Sequence, residues 1–262
     1  MSAETPRCAI THAIVVRESR PWAGRTRTDD PVTALRRVLV WTLGSLFALA
    51  ALWLVWIGAR VLWYGFEPPR ETAFMAHRVG EARAKGRKLE PKYVWVPYAR
   101  IAAPLKRAMI AAEDAKFVDH EGFDWDGIQV ALEKNQKRGR VVAGGSTITQ
   151  QLAKNLFLSP AKSYWRKGEE ALITVLLEAL LPKTRIFELY LNVIEWGTGV
   201  FGAEAAARHY FGVSAAQLSP EQAARLAAMA PNPRFYERNP GAPGLHRKID
   251  IILARMPSAE VP

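Results

Sequence analysis

The chain has a single cysteine, Cys8, among its 262 residues. One thiol can neither close an intrachain disulfide nor build a cysteine metal cluster, so the fold must rest on its apolar core. Histidine is also sparse. His77, His120, His209 and His246 never fall in metal-ligand spacing, and no metal site is expected. Acid is in deficit, with 25 Asp and Glu against 36 Lys and Arg, a formal charge of +11. Such an excess of base points to nucleic acid, an anionic membrane surface or a phosphate-bearing substrate. The chain shows no internal repeat.

One long apolar run is present. Val38 to Ala59 reads VLVWTLGSLFALAALWLVWIGA and carries no charge. About 20 such residues cross a bilayer core as a helix. Trp41, Trp53, Trp56, Trp63 and Tyr64 partly mark interfacial belts. The bland reading is a buried core helix. Against it, the run is apolar on every side and flanked by basic groups. It lies too far from Met1 for a cleaved signal peptide. Residues 1–37 are polar, carry seven arginines including Arg36 and Arg37, and read as a disordered cytoplasmic tail. The expected organisation is a tail over 1–37, a transmembrane helix over 38–59, a juxtamembrane connector over 60–92 and an exported domain over 93–262. Nucleic acid then lies on the wrong side of the membrane, and a lipid-linked phosphate is the natural anionic partner.

Helical signals dominate the exported part. A short polar helix is expected over Glu71–Lys85, and Tyr93–Tyr98 alternates as a brief strand or extended connector. Further helices are expected over Ile101–Phe117, Trp125–Arg138, Ser146–Leu156, Tyr164–Leu181, Lys183–Val193, Val200–Phe211 and Leu245–Arg255. Leu172, Val175, Leu176, Ala179 and Leu180 mark one apolar side of the long helix. Ser219, Pro220 and Gln222 form an N-cap, a first-turn proline and a capping box for a helix reaching Met229. Pro231 and Pro233 then break the chain.

The polar run Gly144 to Asn155 stands out in this helical background. Ser146, Thr147, Gln150, Gln151, Lys154 and Asn155 occupy positions that a core helix would fill with apolar groups. Thr147, Gln150 and Lys154 share a face, and a lysine there suits a phosphate as a point charge. Glu113 follows the small apolar run Ala108–Ala112. A carboxylate at such a boundary is partly desolvated, which raises its pKa toward general-base range. Taken alone, a solvated helix-end acid is the commoner reading. Glu170 stands four residues after Arg166, and on spacing alone the pair reads as an ordinary surface ion pair. Two carboxylates are nevertheless the usual apparatus of glycosyl chemistry. Two other matches are decoys. Ser159-Pro160-Ala161-Lys162 fits S-x-x-K, but there is no S-D-N, and Lys183-Thr184-Arg185 lacks the glycine of K-T-G. Gly144–Thr147 lacks the lysine placement of a P-loop.

Five ordered stretches carry a resemblance. Glu113-Asp114-x-x-Phe117-x-x-His120-x-Gly122-Phe123-Asp124 resembles the first signature of the peptidoglycan glycosyltransferases, glycosyltransferase family 51. Gly144 to Asn155 matches the second without a mismatch, and Arg166-Lys167-x-x-Glu170 is similar to the third. Lys183-x-Arg185-Ile186-x-Glu188-x-Tyr190-Leu191-Asn192 resembles the fourth, with Phe187 in place of the usual leucine. Gly199 to Gly212 is similar to the fifth. The resemblance implies an all-α, lysozyme-like domain with a small membrane-associated jaw, behind a single transmembrane helix in the bacterial inner membrane. It implies lipid II and a growing lipid-linked glycan as substrates, inversion to a β-1,4 link, and release of undecaprenyl pyrophosphate. It makes Glu113 the general base and Glu170 the second carboxylate. Lys154, Arg166 and Lys167 become the pyrophosphate grip. Asp114, Phe117, His120, Ser146, Thr147, Gln150, Gln151, Asn155, Lys183, Arg185, Glu188 and Asn192 become substrate-binding positions. No cofactor is required, although a divalent cation, Mg or Mn, could sit at the donor pyrophosphate. Moenomycin-type inhibitors and other wall-synthesis or division proteins are the further partners it suggests. Two other readings stay open: a lysozyme-like lytic enzyme, which would cut glycans with one acid, and a non-catalytic membrane scaffold, which degenerate motifs would mark.

Overall fold

A computed structural model describes residues 31–140, 144–160 and 163–262. The disordered-tail reading of residues 1–37 lies outside the described residues over 1–30, with Cys8; over 31–37 the chain is helical instead, continuous with the apolar run. Ala161 and Lys162 of the S-x-x-K match also lie outside the described residues.

The chain divides into two compact units, residues 1–51 and 52–262. The described part of the first is helical, and its apolar side chains, Val38, Trp41 and Phe47 among them, are exposed. It opens helix α1, Pro31–Phe66, which is long and apolar enough to cross a membrane.

The second unit begins within α1. Here the helix is no longer uniform. Ile57, Val61 and Tyr64 are buried in the hydrophobic core, whereas Val55, Leu62 and Trp63 stay exposed. The Arg60 guanidinium stands over the rings of Trp56 and Phe157, 5.0 Å from each centroid. The sequence treats Val38–Ala59 as evenly apolar. The structure continues the helix to Phe66, because its last turns have a protein surface to pack against.

Helix α2 (Ala73–Ala84) is capped by Thr72, whose hydroxyl accepts from the Met75 N–H. Strand β1 (Lys92–Tyr93) and an extended connector lead to α3 (Ala103–Glu113). There follow α4 (Trp125–Arg138), α5 (Ile148–Phe157), α6 (Tyr164–Leu180) and α7 (Lys183–Val193). Strands β2 (Glu195–Gly197) and β3 (Val200–Phe201) then complete a three-stranded sheet of order β1-β3-β2. The chain closes with α8 (Ala203–Phe211), α9 (Pro220–Met229), α10 (Pro233–Arg238) and α11 (Leu245–Arg255). Most of the expected helices form, and the fold is mainly α-helical. The core gathers where α5 packs on α6 and α7, and where α3 packs on α9 and α11. Leu105, Met109, Ile148, Leu152, Phe187, Tyr190 and Trp196 are fully buried.

Three local expectations change. Residues 200–201 are strand rather than the start of a helix. Gly202 turns the chain at φ +82°, and a Cβ there would stand 2.4 Å from the Asn192 carbonyl oxygen. After Pro231 the chain makes the short helix α10, because Pro233 sits in its first turn, where no N–H is needed. On α6 the apolar stripe is partly on the outside. Leu172, Val175 and Leu180 are exposed, while Ile173, Thr174 and Leu177 face the core. A helix with apolar groups on both sides does not reveal which side its neighbours cover.

Candidate active site

Helix α3 places Glu113 at its last position, and Asp114 turns away into an extended backbone. The two adjacent carboxylates have opposite fates. Asp114 Oδ2 accepts from the Ile148 N–H at 3.0 Å, at the first turn of α5. Its Oδ1 is 2.9 Å from His120 Nε2. His120 Nδ1 accepts from the Gly122 N–H, so Nε2 carries the proton and donates. Asp114 thus ties the end of α3 to the start of α5 and to the loop between α3 and α4. An acid at a helix N-terminus is also favoured by the helix dipole.

The start of α5 is built from the polar motif itself. Thr147 is the N-cap, accepting from the Gln150 N–H, and the Gln150 side chain returns to the Thr147 N–H, a complete capping box. The Thr147 hydroxyl donates to the Gly122 carbonyl at 2.7 Å. Gly122 holds φ +87°, and a Cβ on it would meet Thr174 at 2.6 Å. Thr147 and Gln150 are buried and serve this junction. Ser146 is exposed beside them.

One turn further on, α5 faces Glu113. Gln151 Nε2 donates to Glu113 Oε2 at 2.7 Å. Among the described residues, Glu113 Oε1 takes no hydrogen bond. Burial raises the Glu113 pKa, against the lowering effects of the Gln151 bond and the charges of Lys154 and Lys248. Lys154 has no ion-pair contact among the described residues. Burial lowers its pKa, opposed first by Glu170. Asn155 donates back to the Gln151 carbonyl at 2.7 Å.

Two pockets of about 200 Å³ each flank this junction. One is lined by Glu113, Asp114, Gly145, Ser146, Thr147 and Arg255. The other holds Gln151, Lys154 and Asn155 together with Arg78, Asn232 and Arg234. Glu170 is not the surface ion pair that spacing suggests. Its side chain is 4% exposed, and its two oxygens accept from Arg166 at 2.7 Å and from Lys167. It therefore packs a cationic cluster beside Lys154, with the Arg166 Nε buried and without a hydrogen-bond partner among the described residues. These residues do not form a complete protein-only cage for a divalent cation. Both Glu170 oxygens are taken, and the described residues contain no group of three His, Cys, Asp or Glu that could hold a metal.

The remaining sequence candidates serve the frame. Phe117 is fully buried against Phe187. Lys183 donates to the His120 carbonyl and to Glu178, above the Phe117 ring. Arg185 donates to the Tyr64 carbonyl at 2.7 Å and pairs with Glu188, which accepts from the Tyr98 N–H. Asn192 pairs with both backbone groups of Val96, as a neighbouring strand would. This group fastens the connector and the end of α1 to α7, and its hydrogen bonds do not reach Glu113. Sequence reasoning missed Arg78, Lys248, Arg255, Asn232 and Arg234. They come from α2, α11, the α9–α10 turn and α10, far from the polar motifs, and no local pattern marks them.

The family model described as Transglycosylase matches residues 81–257. The chain belongs to this transglycosylase family. Among its relatives is the biosynthetic peptidoglycan transglycosylase of Dechloromonas aromatica (strain RCB), 66% identical over 228 residues, spanning 87% of this chain and 99% of that protein. A protein of the same name from Chromobacterium violaceum is 54% identical over 228 residues, spanning 87% of this chain and 100% of its own length. Another, from Azoarcus sp. (strain BH72), is 58% identical over 216 residues, 82% of this chain and 93% of that one. The transglycosylase match includes the last turn of α2, which belongs physically to the domain: α2 packs on α5, and its Arg78 pairs with Glu195 of β2 at 2.8 Å.

Proposed function

We propose that this protein is a membrane-anchored peptidoglycan glycosyltransferase that polymerises lipid II into linear β-1,4 glycan strands. The observation that carries the reading is the state of Glu113. It is desolvated, held at one oxygen by Gln151 and open at the other, between two polar pockets. A carboxylate so held is oriented and basic at once.

In this reading the open oxygen of Glu113 takes the proton from the acceptor sugar's 4-hydroxyl. The alkoxide oxygen bonds the donor's anomeric carbon from the face opposite the leaving group. The bond from that carbon to the pyrophosphate oxygen breaks, and the pyrophosphate leaves with the electron pair. Attack from the opposite face inverts the centre to β. Lys154, Arg166 and Lys167 offset the charge that grows on the leaving group. Glu170 keeps two of these cations in place.

Both substrates carry polyprenyl tails, so the site works at bilayer height. Helix α1 anchors it in the inner membrane, with Arg36 and Arg37 on the cytoplasmic side. Exposed Trp125, Val130, Trp165, Leu172 and Val175 would form the lipid-facing jaw. The deciding test incubates the full-length protein in detergent with lipid II and follows polymer and released undecaprenyl pyrophosphate. Cleavage of preformed glycan, with no polymer made, would favour the lytic reading; neither activity would favour the scaffold.

A further inference from the structure

We infer that Tyr190 is a positioning residue for the base: its buried hydroxyl fixes which end of the Gln151 amide faces Glu113. The inference rests on the reading of Glu113 as the base. Gln151 uses its two ends differently. Its NH₂ donates to Glu113 Oε2 at 2.7 Å, and its carbonyl Oε1 accepts from the Tyr190 hydroxyl at 3.1 Å. A primary amide is nearly symmetric in shape, so packing alone does not hold it in one sense.

The hydroxyl supplies the missing asymmetry. Tyr190 is fully buried, and Gln151 Oε1 is its only hydrogen-bond acceptor among the described residues. Turning the amide over would leave the phenolic proton buried and unpaired. Burial and the nearby Glu113 and Asp114 carboxylates hold the phenol protonated, so it remains a donor. The ring itself is fixed by Phe187, stacked at 6.3 Å between centroids.

The consequence reaches the base. With its NH₂ toward Glu113, the amide favours the ionised carboxylate. Turned over, it presents a carbonyl oxygen, which repels the carboxylate and accepts from the protonated acid. Tyr190 therefore selects the arrangement that lowers the proton affinity of a desolvated base. The other groups acting on Glu113 are Lys154 of α5, Lys248 of α11 and the adjacent Asp114, with Arg255 lining the same pocket. All remain when the Tyr190 hydroxyl alone is removed.

The test measures kcat/KM for lipid II polymerisation against pH, with full-length wild type, Tyr190→Phe, Gln151→Leu and the double variant. Tyr190→Phe keeps the ring. Its acid limb should move up by about half a pH unit or more, a roughly threefold loss at low pH that closes as pH rises. Gln151→Leu should move the limb in the same direction. Adding Tyr190→Phe to Gln151→Leu should move it no further, because there is no amide left to orient. A pH-independent loss in Tyr190→Phe, with the limb in place, would overturn the inference and leave Tyr190 as packing. Should Tyr190→Phe fail to fold, Gln151→Leu decides: an unmoved limb there would equally overturn it. Glu113→Gln, run alongside, separates the two readings. If it polymerises normally, the base assignment itself falls, whatever Tyr190 does.

Discussion

The Glu113 and Glu170 regions both act on Lys154 and use the same functional group in opposite ways. Glu113 has one neutral donor on one oxygen and is raised in pKa by burial. Glu170 is the more deeply buried of the two, but both its oxygens are bonded to cations. The first can accept a proton from a substrate; the second is already committed. Burial alone therefore does not make a base. What decides is whether the partner is neutral and leaves an oxygen open.

The largest effect should come from removing the proton acceptor. Glu113→Gln is expected to cost about 10²–10⁴-fold in polymerisation rate. Its melting temperature at neutral pH should stay the same or rise. The sign follows from the direction of the shift. A carboxylate whose folded pKa is raised favours folding most at low pH and loses that contribution as pH rises through the folded value. A neutral amide avoids the loss. Rate and melting temperature measured together would break the comparison if they fell together.

Glu170→Gln should act the other way, on stability first. Breaking one side of a buried ion pair costs ~3–5 kcal/mol, and the low end applies because Lys167 is half exposed. Denaturant unfolding of the second unit would report it. A stable variant with the rate loss of Glu113→Gln would mean that Glu170 has a direct part in the chemistry.

Lys154→Met sharpens the contrast, since this cation acts on both acids. Losing it removes a charge that lowers the Glu113 pKa, so the acid limb of kcat/KM should move to higher pH. Affinity for a pyrophosphate-like inhibitor such as moenomycin should fall as well. Titration and pH profiles would check the two effects separately.

The smallest effect on the fold is expected at the outward stripe of α6. Leu172→Ser should change stability within about 0.5 kcal/mol, against ~2–5 kcal/mol for Leu177→Ala one and a half turns along. Binding to phospholipid vesicles should weaken only in Leu172→Ser. A large stability loss there would mean that another protein surface, rather than lipid, covers the stripe.

The sequence by itself determined the helical class, the apolar run, the capping box at Ser219, and the candidacy of Glu113. These are local: periodicity, cap chemistry and an acid after a run of small apolar residues are all read within a few turns of chain. Only the tertiary structure decided the division of labour among the polar residues. Asp114, Thr147 and Gln150 read as ligands of a substrate, yet they join α3 to α5 because two helix ends meet there and their orphan N–H groups need partners. Glu170 reads as a surface pair, but its carboxylate is buried while its cations reach in from the surface. Tyr190 reads as one motif residue among many, until the fold sets its hydroxyl against Gln151. Hydrogen bonds between residues 25 to 39 positions apart have no signature in local sequence, because they exist only once the helices have packed.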